Sequence, residues 1–531
     1  MEKNLYFALR SAGEIRQQLL DGQEVALVDV REEAPYATGH PLFAVNIPLS
    51  RLEIDVLSRI PRLSTSVTVY DDGEGLALRA AQRLQQLGYS DVALLQGGLD
   101  GWRSQGLELF IDVNSPSKAF GELVEHQQKT PSLAAEEVAA LLQRSEDVRV
   151  VDVRRFDEYQ TMNIPSSTSL PGGELLLRIR DLLPSAQTTV IVNCAGRTRS
   201  IIGTQTLIDG GLENPVYALR NGTIGWTLAG QTLEKGQSRQ YGELSAATTA
   251  RARIDARRVA EKYGVKVIDA QQLADWQQQS DRTLYLFDIR SEAEYLAGHL
   301  PGSRHVPGGQ LVQETDHYAS VRGARIVLID DLQARADITA SWLARMNWEV
   351  AVLDPEQAIA FSETRRWQPP VPEAGLHPSA EPAIVANWLE SGTTQVLDFT
   401  TSANYVNGHI PGAYWLLKAD LPTLAAKGQL PAAERYVVTC GSSLLAKYTV
   451  NQLQSLTGKP VVVLEGGNAA WRTAGLPLVT GESALLSERI DRYRRPYEGT
   501  DVPPEVMQGY LDWEYGLVAQ LDNDGTHGFR S

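Results

Sequence analysis

The sequence predicts an α/β fold of four consecutive three-layer domains, each with a mainly parallel sheet covered on both faces by helices. Four apolar, strand-like runs each end in an aspartate: Asp29, Asp152, Asp288 and Asp398. A second strand follows each run and closes 42 positions beyond the aspartate, at Asp71, Cys194, Asp330 and Cys440. Stretches of helical periodicity that end in glycine, such as "RAAQRLQQLGYS", lie between the strands. This alternation of strand and helix implies right-handed crossovers and parallel pairing.

A third landmark supports the repeat. An aromatic residue follows 31 or 32 positions after the second strand in each copy: Trp102, Trp226, Phe361 and Trp471. Ligands of parallel sheets bind beyond the carboxyl ends of the strands, where the residues that close the second strands stand. The fold therefore offers four sites, and the chemistry of the side chains decides which are used.

The repeat divides the chain into four domains and a tail. Domain one spans residues 5–112, domain two 131–235, domain three 264–368 and domain four 379–480. We interpret the stretches between them as linkers. The C-terminal tail, residues 481–531, matches none of the repeats, and its aromatic residues predict that it packs on the domains.

The amino-acid composition argues against two classes of binding partner. The 531 residues include 49 lysines and arginines against 65 aspartates and glutamates, a net charge of −16. Nucleic acids and anionic membranes reward an excess of positive charge, so we expect neither as a partner. Two cysteines cannot form a disulfide framework. The first residues of the sequence lack the apolar core of a signal peptide. Both observations favour a cytoplasmic location.

One of the four sites has the composition expected of a reactive thiol. Cys194 opens "CAGRTR", residues 194–199, which we call the Cys194 loop. Ala195 and Gly196 are small enough for the backbone to curl around the sulfur, and Arg197 and Arg199 add positive charge. Backbone N–H groups at a helix N-terminus also favour an anion, so we predict that this loop lowers the pKa of Cys194.

The strand ending in Asp-Val-Arg, "GHIPGA", the cysteine loop and "GGNAAW" together resemble the rhodanese family, the thiosulfate and 3-mercaptopyruvate sulfurtransferases, over about residues 5–480. The resemblance implies a cysteine that carries sulfane sulfur as a persulfide, with no other cofactor and no metal. Transferred to this sequence, it makes Cys194 the catalytic nucleophile. The loop residues that would bind the substrate are Ala195, Gly196, Arg197, Thr198 and Arg199.

The resemblance is uneven across the four copies. Domains one and three carry Asp71 and Asp330 in place of the cysteine and are expected to be inactive, although Arg335 stands at the position of the loop arginine in domain three. Domain four retains a possible second thiol, Cys440. Its loop has Leu445 in place of the arginine, and Thr400 replaces the arginine after the strand aspartate, so we interpret Cys440 as a relic or a packing residue.

Supporting roles are predicted for several neighbours of the Cys194 loop. Arg154 is expected to brace the loop by pairing with a carboxylate. Arg199 has two candidate roles that can coexist: it binds the substrate, or it forms an ion pair with Asp152 that holds the loop. The repeated histidines His40, His299 and His409, replaced by Asn163 in domain two, are interpreted as hydrogen-bonding residues that fasten a loop. No spacing resembles a metal-binding motif.

The sequence therefore predicts an enzyme that moves a sulfane sulfur from a small anionic donor, most simply thiosulfate, through a Cys194 persulfide to cyanide or a thiol. A scaffold or sensor of reactive sulfur is the alternative. A phosphatase is disfavoured. The dual-specificity phosphatases of similar fold have five residues between the cysteine and the arginine of their anion-binding loop, whereas four residues separate Cys194 from Arg199. A disulfide between Cys194 and Cys440 is a third alternative.

Overall fold

The computed structural model describes residues 6–144, 147–357 and 360–531. It contains four five-stranded sheets, one for each predicted domain, and the paired strands of each sheet run parallel. The predicted α/β fold is confirmed. The first predicted residue of domain one, residue 5, lies outside the described residues.

Domains one and two repeat the same order of elements. Domain one comprises β1 (Ala8–Arg10), α1 (Ala12–Leu20), β2 (Ala26–Asp29), α2 (Glu33–Thr38), β3 (Ala44–Asn46), α3 (Leu52–Arg59), β4 (Val67–Tyr70), α4 (Leu76–Gln86), β5 (Val92–Leu95) and α5 (Gly98–Ser104). The helix α6 (Ser115–Gln128) follows. Domain two comprises β6 (Ser132–Leu133), α7 (Ala135–Arg144), β7 (Val148–Asp152), α8 (Phe156–Thr161), β8 (Thr168–Ser169), α9 (Leu175–Leu182), β9 (Thr189–Asn193), α10 (Thr198–Asp209), β10 (Val216–Leu219) and α11 (Gly222–Leu228).

Domains three and four follow after the long helix α12 (Ala246–Lys262). Domain three comprises β11 (Lys266–Ile268), α13 (Ala270–Gln278), β12 (Leu284–Asp288), α14 (Glu292–Ala297), β13 (Arg304–His305), α15 (Gly308–Gln313), α16 (Thr315–Tyr318), β14 (Arg325–Ile329), α17 (Ala334–Arg345) and β15 (Glu349–Leu353). Domain four comprises β16 (Ser379–Ala380), α18 (Pro382–Glu390), β17 (Thr394–Asp398), α19 (Ser402–Asn407), β18 (Tyr414–Trp415), α20 (Leu421–Ala426), β19 (Arg435–Thr439), α21 (Val450–Thr457), β20 (Val461–Leu464) and α22 (Gly467–Thr473). The C-terminal tail forms α23 (Pro504–Tyr515) and α24 (Leu517–Asp524).

All four sheets share one topology. The strand order is β1-β5-β4-β2-β3 in domain one, and the other sheets repeat it as β6-β10-β9-β7-β8, β11-β15-β14-β12-β13 and β16-β20-β19-β17-β18. The two strands that end at the predicted landmarks, β7 and β9 in domain two, are therefore neighbours at the centre of the sheet. This placement brings Asp152 beside Asn193 and leaves Cys194 as the first residue beyond the strand end.

Two stretches interpreted as linkers are helices that bury much of their surface. In α6, ten consecutive residues from Ser115 to Val124 are buried, and the helix packs on α10, which carries the reactive loop. The helix α12 packs on α9 and α17 and so joins domains two and three. A proline in the first turn of α6 and Ser245 as the N-cap of α12 are the local signals that start these helices. Among the described residues, no helix has the length and apolar character needed to cross a membrane.

Domains two and three also meet through their backbones. A Cβ on Gly173 would lie 3.1 Å from the backbone nitrogen of Gly309, so glycine allows the two backbones to approach closely at the interface. Beside it, the Trp342 indole donates a hydrogen bond of 2.8 Å to Thr206, and Arg345 pairs with Asp209 at 2.7 Å. One apolar core runs continuously through domains one, two and three and includes Ala419 of domain four. The other core residues of domain four form two separate clusters, one of which includes Ile54 of domain one.

Candidate active site

Cys194 lies at the turn from β9 into α10 and only 2% of its surface is exposed. Its carbonyl oxygen accepts a hydrogen bond of 3.0 Å from the backbone of Thr223, and the carbonyl of Ala195 accepts one of 3.0 Å from Ile224. This close approach of α11 depends on Gly222, which has φ +56° and whose Cβ would lie 2.3 Å from the Cys194 carbonyl oxygen. The turn is thus held from the side of the neighbouring helix.

The environment of the thiol differs from our prediction. Burial raises the pKa of Cys194; Arg199 and hydrogen bonding from Ser200 act in the opposite direction, and the Glu514 carboxylate raises the pKa further. The predicted lowering of the pKa of Cys194 is therefore wrong. The physical reason is desolvation, because removing water from a thiolate costs more than the nearby positive charge recovers.

Arg199 is held by a carboxylate that the sequence analysis did not single out. Its guanidinium donates two hydrogen bonds, of 2.8 and 3.0 Å, to the two carboxylate oxygens of Glu158 at the start of α8. Burial alone would raise the pKa of Glu158, but the neighbouring Arg199 lowers it to about 2. Burial alone would lower the pKa of Arg199, but its pairing with Glu158 raises it. The predicted pairing of Arg199 with Asp152 is wrong, because the Asp152 carboxylate forms an ion pair with Arg154.

Asp152 and Arg154 form a buried pair beneath the loop. The Arg154 guanidinium donates to the Asp152 carboxylate at 2.8 and 3.0 Å and to the carbonyl oxygen of Met162 at 2.6 Å. The Asn193 amide donates to the same carboxylate at 3.2 Å. The pair thereby ties together the ends of β7 and β9 and the loop after α8. Arg154 pairs with a carboxylate as expected, and its bracing of the Cys194 loop stays a prediction.

Arg197 points towards α6 and the C-terminal tail. It donates to Glu122 at 2.6 and 2.9 Å, pairs with Glu125, and its guanidinium carbon lies 4.3 Å from the ring centroid of Tyr515. The guanidinium is thus occupied by protein groups in this structure. A contact between Arg197 and substrate stays a prediction.

The remaining loop residues face the same two elements. A Cβ on Gly196 would lie 3.1 Å from Cε1 of Tyr510 and 3.4 Å from Oε2 of Glu514, so α23 covers the loop directly. Thr198 packs on Gly121 of α6, and its buried hydroxyl has no hydrogen-bond partner in residues 6–144, 147–357 and 360–531. Ala195 is buried. The C-terminal tail therefore packs on the Cys194 loop itself.

A large cleft lies beside Arg199, at the end of the Cys194 loop. It has a volume of about 740 Å³ and is lined by all four domains and the C-terminal tail, and we call it the central cleft. Domain two contributes Arg154, Glu158 and Arg199 to its wall, and Tyr497 comes from the tail. Arg199 is the residue of the Cys194 loop that lines this cleft, so a small anion in the central cleft would contact Arg199.

In domains one and three an aspartate lies at the position equivalent to Cys194, and its carboxylate accepts hydrogen bonds from the loop of its own domain. The Asp71 carboxylate accepts hydrogen bonds of 3.1 and 2.9 Å from the backbone of Gly73 and Ala77. The Asp330 carboxylate accepts from the backbone of Arg335 at 2.9 Å and from its guanidinium at 2.8 Å. These loops bind the anionic side chain supplied by their own sequence, so their donors are not free for a substrate anion.

Domain four retains the thiol without the charges. Burial raises the pKa of Cys440, and the adjacent Leu445 is buried. Asp398, which has Thr400 and Asn468 as hydrogen-bond donors but no arginine, has its pKa raised to about 6 by burial. Cys440 and Cys194 are both free thiols, and they lie in different apolar cores.

The repeated histidines have the geometry of loop-fastening residues. His299 and His409 donate through Nδ1 to the carbonyl oxygens of Tyr295 and Tyr405, four residues earlier, and stack on those tyrosine rings. His40 stacks on Tyr36 in the same way. In domain two the Asn163 amide donates to the carbonyl oxygen of Ile164 instead.

One residue missed by the sequence analysis has a signal in the repeat. Glu158 lies six positions after Asp152, and Glu294 lies six positions after Asp288. Glu294 pairs with Arg335 at 2.8 Å, as Glu158 does with Arg199. Domains one and four have leucine at the arginine position, and at the glutamate position they have Pro35 and Asn404. The joint presence of glutamate and arginine thus indicates the pair.

The family model of the Rhodanese-like domain matches residues 11–105, 134–229, 269–355 and 381–474. The chain belongs to the rhodanese family. The crystal structure of thiosulfate sulfurtransferase from Pseudomonas aeruginosa is 61% identical with a TM-score of 0.96, and the match covers 98% of this chain and 99% of that one. This full-length similarity assigns the rhodanese-family chain to the sulfurtransferase enzymes.

Two curated relatives match shorter parts of the chain. A sulfurtransferase of Allochromatium vinosum is 33% identical over 18% of this chain and 87% of its own length. An uncharacterised protein of Synechocystis sp. is 32% identical over 22% of this chain, and the match spans 61% of that protein. Each of these relatives corresponds to a fraction of the four-domain chain.

Proposed function

We propose that this sulfurtransferase takes the outer sulfur of thiosulfate onto Cys194 and passes it to cyanide or a thiol. The observation that supports this most directly is the loop of domain two, which alone among the four equivalent loops places a cysteine beside a charge-paired arginine. A covalent intermediate divides one sulfur transfer into two displacements and leads to ping-pong kinetics.

The two displacements use groups of domain two. The Cys194 thiolate attacks the outer sulfur of thiosulfate; the S–S bond breaks, its electron pair leaves with sulfite, and Cys194 retains a persulfide. An acceptor nucleophile then attacks the terminal sulfur, and Cys194 leaves as the thiolate. Arg199 stabilises the anionic donor and the leaving sulfite, because its pairing with Glu158 keeps it charged and oriented.

Other aspects of this proposal follow from the same chemistry. The persulfide is the only carrier that the mechanism requires, with no further cofactor. A sulfur carried on cysteine needs a thiol that is kept reduced, and we therefore place the protein in the cytoplasm. The name of the Pseudomonas aeruginosa protein favours thiosulfate as donor, and 3-mercaptopyruvate, another small anion, is the donor to test beside it.

The donor can be identified from the mass of the intact protein. After reduction, incubation with thiosulfate is expected to add one sulfur atom to the chain, which cyanide then removes as thiocyanate. Cys440→Ser should load equally, because Cys440 lacks the arginine of domain two. If 3-mercaptopyruvate alone adds the sulfur, the donor assignment is wrong while Cys194 retains its role; if neither donor adds sulfur, the proposed reaction is wrong.

Replacing Arg199 with leucine, the residue that domains one and four carry at this position, is expected to lower kcat/KM for thiosulfate about 10- to 100-fold, since a charge-assisted hydrogen bond contributes roughly 1.5–3 kcal/mol. The matched double variant Arg199→Leu, Glu158→Asn copies domain four and avoids an unpaired carboxylate. Steady-state rates against thiosulfate concentration measure both. A double variant with the activity of the parent would show that Arg199 only braces the loop.

A further inference from the structure

The C-terminal tail supplies a buried carboxyl group to the Cys194 loop. Glu514 is 0% exposed, and its Oε2 lies against the backbone of Gly196, two residues from the nucleophile. Its Oε1 accepts a hydrogen bond of 2.8 Å from the Tyr510 hydroxyl, whereas Oε2 has no hydrogen-bond partner among the described residues. A buried carboxylate oxygen without a partner is costly and calls for an explanation.

Docking of α23 on the loop is specific. The Tyr515 hydroxyl lies 3.1 Å from the Arg197 guanidinium and donates to Asn221 at 3.0 Å. The rings of Tyr497, Tyr510 and Trp513 surround the ammonium group of Lys118 at 5.3, 5.3 and 5.9 Å. This ammonium group is itself paired with Asp112 at 2.6 Å. The tail therefore presents Glu514 in one defined position.

Within the part of the chain that the structure describes, none of the charged groups around Glu514 forms a direct ion pair with it. From α6 it faces Lys118, which is taken up by Asp112, and Glu122, which is taken up by Arg197. Arg197 of the Cys194 loop and the Tyr510 hydroxyl complete the surroundings. Burial and the Glu122 charge raise the pKa of Glu514 to about 8, so the group is mostly neutral at pH 7 and becomes charged in mildly alkaline solution.

We propose that Glu514 is a positioning residue for sulfur transfer: the charge on its buried carboxyl group sets the fraction of Cys194 that is thiolate, which makes the C-terminal tail a functional part of the domain-two site. A neutral Glu514 permits the thiolate to form, and an ionised Glu514 opposes it through like-charge repulsion across the loop. This inference rests on the proposed function in that Cys194 is the nucleophile.

The inference predicts a pH dependence with a definite sign. Below pH ~8 the parent and Glu514→Gln should have similar thiolate fractions, because both carry a neutral group at this position. Above that pH only the parent gains a negative charge next to Cys194. Glu514→Gln is therefore expected to move the midpoint of Cys194 ionisation about one pH unit lower, which is about tenfold more thiolate at a given alkaline pH.

The test follows the ultraviolet absorbance of the thiolate against pH in a Cys440→Ser background, so that only Cys194 titrates as a thiol. Glu514→Asp retains the charge and is expected to keep a midpoint close to that of the parent. Glu505→Gln, an exposed position on the same helix, is the matched control for helix effects. Near-ultraviolet circular dichroism establishes that α23 remains docked in each variant.

Two outcomes would overturn the inference. Coincident midpoints in the parent and in a docked Glu514→Gln would show that the carboxyl group does not act on Cys194, and equal shifts in Glu514→Gln and Glu514→Asp would show that charge is not the cause. The titration needs no sulfur donor, so it decides the role of Glu514 even if thiosulfate fails to load Cys194. Loading without a shifted midpoint would contradict this inference and leave the proposed reaction intact.

Discussion

Cys194→Ser is expected to lower the rate of sulfur transfer more than about a thousandfold, which corresponds to at least ~4 kcal/mol of activation free energy. A serine hydroxyl cannot hold a sulfane sulfur as a persulfide, so the first displacement has no covalent product. The remaining loop would still bind an anion through Arg199. The measurement is thiocyanate formation from thiosulfate and cyanide, at matched protein concentration.

Cys440→Ser is the matched control for this experiment. It removes the other thiol, which lies at the equivalent position of domain four, and the rate should stay within twofold of the parent. Leu445 and Thr400 stand where domain two has Arg199 and Arg154, so neither arginine is present to stabilise an anion at Cys440. A large loss in Cys440→Ser with retained activity in Cys194→Ser would reverse the assignment of the working domain.

Arg154→Thr, which reproduces the residue of domain four at this position, is expected to destabilise domain two by about 3–5 kcal/mol at neutral pH. The change leaves the Asp152 carboxylate, which is 0% exposed, with the Asn193 amide and the backbone N–H of residue 154 as hydrogen-bond donors. Removing one member of a buried ion pair leaves an uncompensated charge. Hydrogen exchange at β7 and calorimetry of the first unfolding transition measure the loss.

The loss in Arg154→Thr should depend on pH, as Asp398 illustrates. Without an arginine partner, burial raises the pKa of Asp398 to about 6, and we expect Asp152 to behave similarly in the variant. A carboxyl group whose pKa is higher in the folded state binds protons on folding, so the variant should regain stability as pH falls from about 6 towards the unfolded value of ~3.9.

Two variants separate this explanation from a general packing defect. Adding Asp152→Asn to Arg154→Thr removes the buried charge and should recover much of the stability at neutral pH. Arg155→Thr changes the neighbouring exposed arginine and is expected to cost less than about 1 kcal/mol. An Arg154→Thr loss that is independent of pH and is not reduced by Asp152→Asn would contradict the ion-pair explanation.

The repeat made much of the fold and the central residue of the site predictable. Asp152 ends β7 and Cys194 directly follows β9, as the strand periodicity and the constant spacing indicated. Local pattern suffices here, because each strand buries its own apolar run and each loop residue is only a few positions from a strand end. The pair of Arg199 with Glu158 was also within reach, since the same two residue types recur together in domain three.

The tail and the linker helices could not be assigned to the site from sequence alone. Glu122 contacts Arg197 across 75 positions, and Tyr515 does so across 318. Such contacts depend on how separate elements pack, and no periodicity within one segment records them. The predicted direction of the pKa shift of Cys194 was wrong for the same reason, because the burial of the thiol in the folded chain entered no local argument.

By itself, the sequence determined the four-domain α/β architecture and the position of the one thiol with an arginine in its loop, because strand periodicity and the charges within a short loop are local properties. Only the tertiary structure decided that α6 and α23 enclose that loop, that Arg199 pairs with Glu158 rather than with Asp152, and that the thiol is desolvated. Desolvation and long-range pairing depend on the arrangement of the whole chain, since they arise from surfaces that meet only after folding.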